Sequence, residues 1–134
     1  MSVTSAVPIS ISMKPEDKTV AATPTLFVWR AAFPGKVAGF YATDQTGVAA
    51  DASNYMTLTL TNAGQAGAGT TSMATYVGTT AFAAEVPNAF TLSTTASSLE
   101  FVAGDIIELI KTETGSGQDF VEVSFQLDVL PGKG

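Results

Sequence analysis

Residues 121–129 alternate apolar and polar side chains without a break. Val121, Val123, Phe125, Leu127 and Val129 fall on one face, and Glu122, Ser124, Gln126 and Asp128 fall on the other. A period of two marks a strand with one buried face; a helix would scatter these apolar residues around its circumference. This run commits the chain to a sheet with an inside and an outside. Residues 55–61 repeat the pattern, with Met56, Leu58 and Leu60 opposed to Tyr55, Thr57, Thr59 and Thr61. In the stretch 7–13, Val7, Ile9, Ile11 and Met13 alternate with Pro8, Ser10 and Ser12. Pro8 has no N–H to give a ladder, so this strand belongs at an edge or begins near Pro8.

Further strands are predicted over 26–30, 36–43, 72–78, 89–94, 99–103 and 106–112, separated by turn chemistry. Phe33-Pro-Gly35, Ala103-Gly-Asp105 and Gly115-Ser-Gly117 are the clearest turns, because Pro presets φ and Gly accepts positive φ. Longer loops are expected over 44–54 and 62–71, the second a mobile stretch containing Gly64, Gly67 and Gly69. The fold class that follows is all-β: a single antiparallel β-sandwich of about eight strands, with a jelly roll as the expected arrangement. Met56, Leu58, Leu60, Val123, Phe125 and Leu127 are its expected core. The domain should run over 9–130, between an N-terminal segment 1–8 and a flexible end at 131–134.

Three strands do not alternate cleanly. Residues 26–29 (Leu-Phe-Val-Trp), 106–110 (Ile-Ile-Glu-Leu-Ile) and 37–42, with Phe40 and Tyr41, are apolar on both faces. Two readings stand side by side: bulges and the chain's own loops absorb the second face, or another subunit covers it. Trp29, Phe40 and Ile107 are the subunit-interface candidates under the second reading. Trp29 is the only tryptophan. Its apolar neighbours favour core or interface over an exposed sugar platform.

The chemistry a chain can perform is limited by what it contains. With no His and no Cys, Ser-His-Asp triads, Cys-His pairs, disulfides and His- or Cys-ligated metals are excluded. The six cations, Lys14, Lys18, Arg30, Lys36, Lys111 and Lys133, are scattered against a net charge of −6, which argues against nucleic-acid partners and against an anionic membrane. The twelve acids are dispersed, so no carboxylate pair is predicted for acid–base work. Asp44, Asp51 and Asn54 share a loop, but their spacing is not that of an EF-hand. Asp105, after Gly104, is read as the cap of a tight turn. Gly67–Gly69 is not a phosphate loop, since no Lys-Ser/Thr follows. The expectation is a non-enzyme with no cofactor and no metal. No signal peptide and no apolar run long enough to span a membrane are read from the sequence.

The order of strands carries a resemblance. Phe33-Pro-Gly-Lys-Val-Ala-Gly-Phe-Tyr41 is followed by a polar loop, then Asn54-Tyr-Met-Thr-Leu-Thr-Leu-Thr61 and a Gly-rich loop. Next come Phe90-Thr-Leu-Ser93, Leu99-Glu-Phe-Val-Ala-Gly-Asp-Ile-Ile107 and a long alternating strand. Over roughly the last three-quarters of the chain this resembles the small jelly-roll or β-sandwich decoration (cement) proteins of tailed-phage capsids. The resemblance implies a virion structural protein on the outer capsid surface, binding the major capsid protein and itself, often as a homotrimer, and reinforcing the shell. It brings no catalytic residues. On this reading Val3, Val7 and Pro8, in an uncharged terminus, are capsid-docking candidates; the competing expectation is a frayed end. The alternative function is a receptor- or carbohydrate-binding module of a phage tail or head fibre.

Overall fold

The computed structural model describes residues 7–13, 25–118 and 123–132. The expected all-β architecture is what it contains. Among the described residues ten strands form two antiparallel sheets: β1 (Val7–Met13), β2 (Thr25–Arg30), β3 (Gly35–Asp44), β4 (Tyr55–Asn62), β5 (Thr71–Val77), β6 (Asn88–Ala89), β7 (Thr91–Leu92), β8 (Glu100–Phe101), β9 (Ile106–Thr114) and β10 (Val123–Pro131). The first sheet has the order β1-β10-β3-β6, with β8 also paired to β3; the second has the order β2-β9-β4-β5-β7. Apart from the β4–β5 hairpin, each strand lies in the opposite sheet to the one before it. Pro8 lies in an edge strand, second in β1 and opposite Asp128, where its missing N–H costs little.

The inner faces meet in one core. The first sheet contributes Val37, Phe40, Ala42, Val123, Phe125, Leu127 and Val129; the second contributes Met56, Leu58, Leu60, Met73, Ile107 and Leu109. All six expected core residues are buried. Phe40 stacks on Phe125 at 5.7 Å and meets Phe90 edge-on at 4.7 Å, both favoured aromatic geometries.

The two-faced strands have separate explanations. In β3 the register slips where Asp128 opposes Gly39 and Val129 opposes Val37, leaving Ala38 as the extra, exposed residue of a bulge. The bulge resets the phase, so Val37 and Phe40 both point inward. Phe40 (1% exposed) and Ile107 (0%) are therefore core residues, not the subunit-interface residues expected from sequence. Trp29 is half-buried and packs against this core; its ring meets Phe101 at 5.4 Å and Phe33 at 5.8 Å. In β9 the second apolar face is genuine: Ile106 and Ile110 alternate with Ile107 and Leu109 and are only half-buried.

Two predicted strands are broken. Residues 89–94 divide at Phe90, which turns into the core while its N–H donates to the Phe40 carbonyl at 2.9 Å. Across that residue the chain passes from β6 in the first sheet to β7 in the second. The stretch 99–103 begins in a 3₁₀ turn, Ala96–Leu99, and keeps only two paired residues. At the C-terminus β10 continues through Pro131, and the Gly132 N–H donates to Pro34 O at 2.8 Å. The expected flexible end is thus paired that far.

Candidate functional site

The strand ends divide the loops into two groups. Segments 45–54, 78–87 and 115–118 lie at one end of the sandwich; segments 31–34, 63–70 and 102–105 lie at the other. Among the described residues the first end holds most of the buried polar side chains: Asp44, Lys111 and Gln118. Asp44 closes β3 on its inward phase and is fully buried. Its Oδ1 accepts the Thr46 N–H at 3.3 Å, and its Oδ2 has no hydrogen-bond partner among the described residues.

Across the sandwich, β9 keeps its period past the apolar stretch, so Lys111 and Glu113 occupy the phase set by Ile107 and Leu109. They lie opposite Leu58 and Met56. Lys111 Nζ stands 3.5 Å from Glu113 Oε1, with both side chains covered. Neither Glu113 oxygen accepts a hydrogen bond within the described residues, so this contact is charge pairing rather than a formed hydrogen bond. Sequence reasoning did not single out these residues, although the β9 alternation, extended four residues beyond Leu109, points both inward.

Gln118 joins the loops of this end. Its Oε1 accepts the Met56 N–H at 3.0 Å, and its Nε2 donates to Ala49 O at 2.8 Å and to Gly78 O at 3.1 Å. The carboxamide occupies the space that a Cβ on residue 78 would need, so a larger residue there would have to displace it. No periodic signal marks Gln118, since it lies in a loop.

Two of the three residues considered for calcium, Asp51 and Asn54, spend an oxygen on backbone N–H groups. Asp51 Oδ1 accepts the N–H groups of Ser53 and Asn54, each at 2.8 Å, and these two bonds, Asn54's first, hold the carboxyl below its ordinary value. Asn54 Oδ1 accepts the Ser116 N–H at 2.7 Å. Asp105 caps its turn as expected: Oδ2 accepts from the Val102 N–H and from Asn62 Nδ2, both at 3.0 Å. Among the described residues no group of three or more acidic side chains is placed to hold a metal.

One open groove of about 400 Å³ runs between β5 and the 80–91 segment, lined by Thr75, Tyr76, Val77, Thr80, Ala89 and Thr91. Tyr76 is fixed there by its hydroxyl, which donates to Ala81 O at 2.6 Å, and by stacking on Phe82 at 4.0 Å. Its partial burial raises the phenol pKa. Of the docking candidates, Val7 and Pro8 belong to β1, paired with Val129 and Asp128, rather than to a free arm; Val3 lies outside the described residues. No protein-family model, curated protein or solved structure matches this chain.

Proposed function

We propose that this domain is a non-enzymatic virion structural protein that binds the outside of a tailed-phage capsid and reinforces it. The observation that carries the reading is the outer face of the second sheet. Tyr55, Thr57 and Thr59 of β4, Thr75 and Val77 of β5, Thr91 of β7, and Ile110, Thr112 and Thr114 of β9 form a registered array. Glu108 is the one charged residue that β4, β5, β7 and β9 place on that face, and the edge strand β2 adds Arg30 at its end, paired with Ile106. A surface of hydroxyls and small apolar groups can be buried against a partner without the cost of desolvating charge. The strand orders β1-β10-β3-β8 and β2-β9-β4-β5 support the finer reading that the sandwich is a jelly roll of two interleaved four-stranded sheets.

The partners under this reading are the major capsid protein and further copies of the chain, in a small cyclic oligomer with the trimer as the resemblance implies. Adding the purified protein to capsids stripped of their decoration tests it. Saturable binding and a raised capsid melting temperature are expected; absence of both would overturn the proposal. The receptor- or carbohydrate-binding alternative has the groove beside Tyr76 in its favour: three threonine hydroxyls and an aromatic ring with no charge suit a neutral sugar. A glycan screen giving a ligand lost in Thr91→Val would favour that reading.

A further inference from the structure

Within the loop-rich end, the segment between Phe82 and β6 has an unusual construction. Glu85, with φ of 60°, is the one non-glycine residue at positive φ among the described residues. For a residue with a Cβ that conformation is costly, and it persists where its surroundings enforce it. Here they do. The Asn88 side chain accepts the Ala83 N–H at 2.9 Å and donates to Val86 O (2.9 Å), Ala83 O (3.1 Å) and Ala42 O (3.1 Å). The Glu85 N–H donates to Asp44 O at 2.8 Å, which anchors the tip to the end of β3. Pro87 fixes its own φ and restricts Val86 before it.

The side chains held up by this clamp are Glu85, which is exposed, and Val86, 45% exposed. Val86 and Val102 are the large apolar residues most open to solvent among the described residues. Val102 sits in a turn whose positive φ falls on Gly104 and so carries no comparable strain. A rigid tip loses little entropy on docking, and strain retained at an exposed loop is the mark of a selected conformation.

We propose that residues 83–88 form a preformed recognition tip, which seats Val86 in an apolar pocket of a protein partner and places Glu85 against a cation beside that pocket. The inference rests on the capsid reading and names the contact through which attachment occurs. The chain's net charge of −6 fits a partner that is basic where they meet. The tip lies at the opposite end of the first sheet from Val7, so its contribution is separable from that of the N-terminus.

The experiment compares the parent protein, Val86→Ser, Glu85→Gly and a form lacking residues 1–6 for binding to capsids stripped of their decoration, with thermal unfolding of each free protein alongside. Val86→Ser should keep the parent's melting temperature and bind about tenfold more weakly or worse. Glu85→Gly should melt at or above the parent, since the strain is relieved, and yet bind more weakly, with less sensitivity to salt. Parent-like binding by both tip variants would overturn the inference while leaving the capsid reading intact. Failure of the parent itself to bind would overturn the reading and the tip's role with it.

Discussion

Single side chains in this fold carry their cost or benefit through what they leave behind. Phe125 stacks on Phe40 between the sheets, and Phe125→Ala should cost about 3–5 kcal/mol in urea unfolding, the range for emptying a buried aromatic site. Lys111→Met should cost about 3 kcal/mol despite its apolar replacement, because the covered Glu113 carboxylate loses the ammonium beside it. Asp51 acts through its charge. Its carboxyl titrates below its ordinary value of 3.8 in the folded chain, so its stabilising effect is complete above that pH and disappears as the pH falls through the folded value. Asp51→Asn keeps an acceptor for Ser53 and Asn54 but cannot titrate. The parent should therefore melt higher than the variant at pH 7, and the gap should close as the pH falls below the ordinary value of 3.8 and through the folded one; a gap independent of pH would contradict this.

At the scale of elements, loops are held to strands by a few polar side chains. Gln118→Ala removes three hydrogen bonds from the start of β4 and from two loops and should cost about 2–3 kcal/mol. Gly78→Ala should cost about 1–3 kcal/mol through a different cause, overlap with the Gln118 carboxamide. If Gln118→Ala, placed first, makes Gly78→Ala nearly neutral, the two positions are coupled as the packing implies. Strand identity and core membership were legible in the sequence wherever the period of two ran unbroken, as at Met56, Leu58, Leu60, Phe125 and Leu127. At Phe40 the broken alternation left a bulge and a covered second face both open, and the bulge at Ala38 is what shifts the phase. The break at Phe90 within the predicted strand 89–94 went unseen because a residue that carries the chain from one sheet to the other has strand-like neighbours on both sides. Lys111 and Glu113 obey the alternation, but charge discourages an inward reading. Gln118 and Asn88 make their contacts across loops, where spacing carries no information.

For the whole molecule, the proposed function assigns assembly to the outer face of the second sheet and to the 83–88 tip. Sedimentation of the purified protein should give a small closed oligomer, and chelator should leave its melting temperature unchanged. A drop of several degrees with chelator would show that Asp44 or Asp51 serves a cation. The pairing of β1 with β10 has a consequence for biosynthesis. Among the described strands, the first to be synthesised finds its partner in the last, Val7 opposite Val129, and β10 also separates β1 from β3 in their sheet. Until residues 123–131 are translated and free of the exit tunnel, the first sheet lacks its middle and β1 has nothing to pair with. Folding of this sheet then waits on a pairing of high sequence separation, which makes it slow. The nascent apolar strands stay open meanwhile, and a chaperone has its chance to act in that interval.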